Sequence, residues 1–272
     1  MDEIKEKAIR AIVDASIKSF ANGFECRQSS EKENPLGTIN MKKNNCFIAA
    51  LGEEFIFYSA FVRSFDSSFG NLLEDLGNAI AKFSYKTNQI IHSFILPEQT
   101  QHISNILDKY EDHLATPNVT HYQNFFVVVP PNIESFKTKH ICDNWFYDEK
   151  TKTHYLIELK AGGDLDNKKA KSEKLALLKE YFMLKNSLSS DEKIEIKFAT
   201  AYNKFGEGKP WHQANVERMF AREELLIGTE YWNFVCNDEN GFSIIFDQYK
   251  KSSCYIKEAI NRIKKLYSEI QD

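Results

Sequence analysis

The sequence predicts an α/β protein: a small mixed central sheet flanked by helices, with helical elaborations at the N-terminal and C-terminal ends. Three observations carry that expectation. Apolar residues recur at helical spacing through most of residues 2–120, β-branched and alternating runs replace them after residue 122, and helical spacing returns near residue 254. At 272 residues, with 42% hydrophobic and 27% charged residues, the chain can bury one sizeable core. A single domain over 1–272 is therefore expected, with a mainly helical part (1–120), an α/β core holding the candidate chemistry (121–240) and a C-terminal helical part (241–272).

The elements follow in order. Ile4, Ala8, Ala11, Ile12 and Ala15 share one helical face, and Gly23 supplies a stop, which predicts a helix over about 2–21. Residues 26–45 are polar and carry Pro35 and Gly37, as a loop would. Two helices are expected over 46–63 and 71–83, separated by S-F-D-S-S-F-G, and a third from Pro97 to about Glu111. The run N-F-F-V-V-V-P at 124–130 has the composition of a buried strand. H-I-C-D-N-W-F-Y and T-H-Y-L-I-E-L-K, joined by D-E-K-T-K, predict a hairpin. Beyond them come a helix over about 168–185 with Ala170, Leu177, Leu178, Tyr181 and Leu184 on one face, the strand K-I-E-I-K-F-A-T, a loop from Asn203 to Trp211, a short helix near 213–225, the aromatic segment Y-W-N-F-V-C and a terminal helix.

Composition narrows the function classes. No run approaches the roughly 18 apolar residues that span a bilayer, and the amino terminus has neither the apolar stretch of a signal peptide nor the composition of a transit peptide, so a cytoplasmic protein without a membrane partner is expected. The five cysteines are odd in number, scattered and lack a C-x-x-C pair, which suits reduced thiols and neither a disulfide framework nor a zinc site. The net charge of −4 argues against a polycation, yet residues 160–185 hold seven lysines against Asp164, Asp166, Glu173 and Glu180. One basic surface on an acidic protein is the expectation.

The candidate chemistry lies in Y-L-I-E-L-K-A-G-G-D-L-D-N-K-K-A-K-S-E-K from Tyr155. Glu158 and Lys160 are two apart on a strand and so point to one face. With the hairpin turn centred between Lys150 and Thr151, Asp143 falls opposite Glu158, at a cross-strand Cβ separation of about 4.5–5.5 Å. Two carboxylates that close require a cation, and such oxygen donors suit Mg²⁺ with phosphate oxygens and waters completing its shell. Asp143, Glu158 and the carbonyl of Leu159 are the expected metal ligands; Asp143, Glu158 and Lys160 are the expected catalytic set, with Lys160 holding the attacking water. E-x-K on a strand is also a common exposed ion pair, but the apolar neighbours of Glu158 and the lysine-rich helix that follows favour the site. Lys168, Lys169 and Lys171 crowd a helix start capped by Asp166 or Asn167, where phosphate is well received. Gly162 and Gly163 mark a kink that would admit a close backbone approach to DNA or simply a turn.

Asp143, fourteen intervening residues and Glu-x-Lys form the motif of the PD-(D/E)xK nuclease superfamily, which the chain resembles in its strand, strand and helix order as well. Cys142 stands where that superfamily favours proline. Together with A-Y-N-K-F-G-E-G-K-P-W, E-E-L-L-I-G-T-E-Y-W-N-F-V-C and S-F-D-S-S-F-G, the segment resembles the TdeIII type family of type II restriction endonucleases over much of residues 45–240. That resemblance implies Mg²⁺-dependent cutting of double-stranded DNA at the interrupted palindrome GGNCC, with 5′-phosphate ends. A palindrome further implies a homodimer, a prokaryotic source and a cognate methyltransferase as functional partner. Lys204, Lys209 and Gln213, in and just after the Asn203–Trp211 loop, are the expected base-reading donors, with Arg63, Ser67 and Ser68 as phosphate contacts and Glu74 or Asp75 as a further acid at the site. A non-catalytic DNA-binding module and a repair or junction nuclease share the same fold and stand as alternatives.

Overall fold

The computed structural model describes residues 1–128, 137–189 and 191–268. The chain divides into two compact units, Met1–Ala79 with Ser243–Asp272, and Ile80–Phe242.

The first unit is helical. Its elements are α1 (Glu3–Glu33), α2 (Thr38–Lys42), α3 (Cys46–Ala49), most of α4 (Glu53–Ala81) and most of α10 (Gly241–Ser268). Ile9, Val13, Ile17, Ala21, Phe24 and Gln28 form the buried stripe of α1 at steps of three and four residues. The stripe continues past Gly23, so packing overrides the expected stop: a helical glycine costs only about 1 kcal/mol, less than burying Phe24 returns. Phe24 also packs edge-on against Phe61 and Phe65 of α4. The expected break at 64–70 is absent for the same reason, because Phe65 and Phe69 stack within one uninterrupted α4.

The second unit contains a five-stranded mixed sheet in the order β1-β2-β3-β4-β5. The strands are β1 (Lys86–Ser93), β2 (Thr138–Asp148), β3 (Thr153–Lys160), β4 (Lys193–Thr200) and β5 (Leu225–Ile227). β1, β2 and β3 pair antiparallel, while β3, β4 and β5 pair parallel. The connection from β3 to β4 runs through α7 (Asn167–Lys185), the crossover that a parallel pair requires. Also in this unit are α5 (Pro97–Glu111), α6 (Thr120–Gln123), α8 (Ala214–Glu217), the 3-10 turn Arg222–Glu224 and α9 (Thr229–Cys236).

Each sheet face has its own cover. Leu156, Ile196 and Phe198 are buried in one cluster with Ala170, Leu177, Leu178 and Tyr181 of α7 and Ile103, Ile106, Leu107 and Tyr110 of α5. On the opposite face Phe146 stacks on Tyr85, and Tyr155 meets Phe234 of α9 edge-on. Trp232 fixes α9 by donating from Nε1 to the carbonyl of Ala201 at 2.8 Å.

One expected strand is absent, and one unexpected strand is present. Residues 125–128 carry no strand, and Phe126 and Val128 are 79% and 89% exposed; Val129 and Pro130 lie outside the described residues. The outer strand β1, by contrast, is built from the polar K-T-N-Q-I-I-H-S, a composition that blunts a sheet edge.

Candidate active site

Glu158 and Lys160 lie at the end of β3 on the face that α7 covers. Glu158 is 9% exposed. Its carboxylate forms an ion pair with the Lys160 ammonium, and that ammonium reaches Glu173 of α7 at 3.0 Å. Burial pushes the Glu158 carboxyl up to about 8, against the pull of Lys160 and with added repulsion from Asp143 and Glu173. Burial also works against the charge on Lys160, but Glu158 and Glu173 outweigh it and raise the ammonium above its ordinary range. One lysine thus bridges a strand carboxylate and a helix carboxylate.

The hairpin register brings Asp143 to this place. Pairing of β2 with β3 runs from Asp148 opposite Thr153 to Asn144 opposite Ile157, the register expected from the sequence, and Asp143 follows directly. On the other side of β2, Asn88 faces Trp145 and Ile90 faces Ile141, so three residues of β2 oppose the single Gln89. Such a bulge re-aims side chains. Cys142 and Asn144 are buried, whereas Asp143 is exposed, and its charge bears on both Glu158 and Glu180 of α7. The Glu180 carboxyl is also pushed up to about 8, first by burial and then by Asp143. A buried carboxylate beside a solvent-facing one, with hard oxygen donors and mutual repulsion, is a donor set that suits Mg²⁺.

The sequence model of the family described as "Type II restriction endonuclease, HinfI" matches residues 5–253. The chain belongs to the HinfI family of type II restriction endonucleases. No curated protein and no solved structure matches it. HinfI-family membership makes the chain a type II site-specific deoxyribonuclease, binding DNA and drawing on a divalent metal as such enzymes generally do. It supports the restriction-endonuclease part of the expected resemblance; the family matched is HinfI rather than the TdeIII type.

Within this HinfI-family chain, the expected DNA contacts divide. Lys168 and Lys169 are exposed on the first turn of α7, which Asp166 caps by accepting from Lys169 N at 2.9 Å. Lys171 is instead held by Asp108 at 2.9 Å and Glu111 at 2.5 Å, both on α5, so its charge is spent in tying two helices together. Lys204 binds Asp164 at 3.1 Å. Gln213 is buried; its amide donates to Asp164 Oδ1 and to the Leu165 carbonyl, and its oxygen caps α8 through Asn215 N. Both ends of the Gln213 amide are satisfied internally, so reaching a base edge would require it to exchange those partners. Asn203, by donating to the Lys209 carbonyl, and Glu207, by accepting from Asn203 N and Thr229 N, set the loop between them.

The glycine kink is a packing device. A Cβ on Gly162 would lie 2.5 Å from the Tyr202 hydroxyl, and Gly163 has φ +70° with Thr200 Cγ2 2.5 Å from where its Cβ would be. Glu74 and Asp75 lie on α4 in the helical unit, as do Arg63, Ser67 and Ser68. The residues missed by sequence reasoning are Glu173 and Glu180. They are seven apart on α7 and share its sheet-facing side, a spacing present in the sequence but masked by the lysines around it. The pair Lys174–Glu224, each 1% exposed, was also missed. Glu224 additionally accepts from the Tyr122 hydroxyl at 2.8 Å and from Ala221 N at 2.7 Å, which satisfies a buried charge that would otherwise be costly.

Among the described residues, no helix is long and apolar enough to cross a membrane.

Proposed function

We propose that this restriction endonuclease hydrolyses one phosphodiester in each strand of a short palindrome, with Mg²⁺, on a PD-(D/E)xK core formed by β2, β3 and α7. The observation that carries this reading is the Glu158–Lys160–Glu173 chain beside Asp143 in a chain of this family. Asp143, Glu158 and the Leu159 carbonyl would hold the metal, which would supply Lewis-acid polarisation of the scissile phosphate. Lys160 orients the attacking water and offsets charge on the crowded phosphate in the transition state. Glu173, through its own ion pair, would hold the Lys160 ammonium at the site with Glu158 serving as a metal ligand. In-line attack leaves a 5′-phosphate and a 3′-hydroxyl.

Lys168 and Lys169 receive phosphate at the capped start of α7, and Lys204 contributes from the loop, where an incoming phosphate competes with Asp164. The enzyme acts as a homodimer in a prokaryotic cytoplasm, alongside a methyltransferase that protects the host at the same sequence. GGNCC is the recognition site implied by the segments that resemble the TdeIII type family.

The test is digestion of unmethylated phage DNA by purified protein in Mg²⁺, with Glu158→Ala and Lys160→Ala in parallel and the fragment ends sequenced. Discrete 5′-phosphate ends are expected, with each variant slower by about 10²-fold or more. Sequenced ends read the site directly, and any site other than GGNCC removes that assignment. Intact DNA with binding retained would favour a non-catalytic module; nicking that depends on DNA structure would favour a repair or junction nuclease.

A further inference from the structure

A second cluster of ligand-bearing side chains lies next to Asp143 and has no part in the scheme above. His140 and Cys142, two apart on β2, meet Glu180 of α7. His140 Nε2 lies 3.0 Å from Glu180 Oε1, and the ligand atoms of all three residues fall within 4.8 Å of one another. The Cys142 thiol lies beside the Glu180 carboxyl. Cys142 and Glu180 are buried and His140 is partly exposed, so the cluster has a dry base and an open side.

We propose that His140, Cys142 and Glu180 form a second metal site, one that takes a borderline divalent ion of the Zn²⁺ class and is separate from the Asp143–Glu158 pair. The donors are one nitrogen, one sulfur and one carboxylate oxygen, the mixture that Zn²⁺ accepts and Mg²⁺ does not. Bond lengths of about 2.0–2.3 Å to a tetrahedral ion put ligand atoms roughly 3.5 Å apart, which the cluster reaches by small side-chain shifts. Two of the three ligands sit on a strand and the third on the helix packed over it, so the site is rigidly supported. Three protein ligands leave a fourth position on the His140 side for water.

A second observation points the same way. Among the described residues, Glu180 pairs with no lysine or arginine, although it is buried and faces the Asp143 charge. Without a permanent counter-cation the buried Glu180 carboxyl holds a proton, and a bound divalent ion would take that proton's place. Binding replaces the Cys142 thiol proton and the Glu180 carboxyl proton with bonds to the metal, and releases two protons to solvent. A cation here also draws on Asp143, so Zn²⁺ lowers Mg²⁺-supported cleavage; that consequence alone rests on the proposed function.

The test is titration of the full chain with Co²⁺, a spectroscopic substitute for Zn²⁺, in a background where the exposed Cys26, Cys46 and Cys254 are serine. A thiolate-to-cobalt charge-transfer band that saturates at one equivalent, is competed away by Zn²⁺, and is lost in Cys142→Ser is expected. Glu158→Gln keeps the band, which separates this site from the Mg²⁺ site whether or not the protein cuts DNA. Absence of the band with Cys142 intact, or its persistence in Cys142→Ser, overturns the proposal. Should Cys142→Ser fail to fold, His140→Ala decides: a loss of affinity of roughly tenfold or more supports the site, and unchanged affinity overturns it.

Discussion

His154 shows how one hydrogen bond sets a residue's response to pH. Trp145 Nε1 donates to His154 Nδ1 at 3.0 Å, so Nδ1 is the unprotonated nitrogen and Nε2 carries the hydrogen toward Glu192 at 3.4 Å. Burial lowers the imidazole pKa from its ordinary value, and Glu192 only partly counters it. A group with a depressed folded-state pKa contributes stability that is complete above the unfolded value, about 6.5, and is lost as the pH falls through the folded value. Thermal unfolding followed from pH 7.5 to pH 5 is therefore expected to show a falling Tm. His154→Asn, which keeps an acceptor but cannot titrate, should flatten that fall; an unchanged slope would remove His154 as its source. The same scale shows what sequence makes visible. Glu158 and Lys160 were legible because strand geometry fixes their common face, and Asp143 because a hairpin turn fixes its partner. Gln213, Lys171 and Glu224 were not, since each is committed to residues 48 to 102 positions away in the chain. Nothing local announces such partners.

At the scale of elements, α7 separates two kinds of lysine that look alike in the sequence. Lys168 and Lys169 are exposed, whereas Lys171 bridges Asp108 and Glu111. Each phosphate contact contributes a slope of about −0.9 to log K against log salt. Lys168→Ala/Lys169→Ala is expected to reduce the magnitude of the slope by about 2, measured by fluorescence anisotropy on duplex DNA. Lys171→Ala should leave the slope unchanged and lower the Tm slightly, because it removes a partly exposed link between α5 and α7. A change of slope in Lys171→Ala would mean that this lysine leaves its carboxylates for phosphate. Element prediction succeeded where periodicity and capping agree, as in α5 behind Pro97 and α7 behind Asp166. It failed where tertiary packing overrides a local signal, with Gly23 inside α1 and Gly70 inside α4. The strand β1 escaped notice because its polar residues are those of an edge, and 125–128 misled because apolar composition alone does not specify pairing.

For the whole molecule, an acidic chain with net charge −4 must still meet DNA, and the proposed palindrome would require it to do so twice, once for each strand. The helical unit and the α/β unit interleave in sequence, with residues 243–272 returning to the first, a partition that no composition shift reveals. Because β2, β3 and α7 all belong to one unit, each chain is expected to hold one complete catalytic set and to cut one strand. A homodimer then makes a double-strand break in a single binding event. Light scattering should give the mass of two 31.6 kDa chains, and a supercoiled plasmid with one site should pass to linear form with little nicked circle. Dimers mixed from wild-type and Glu158→Ala chains supply the sharper test, since one site per strand predicts that the hybrid accumulates nicked circles. Linear product from the hybrid at the wild-type rate would show that one active site serves both strands, and the symmetric-dimer scheme would fall with it.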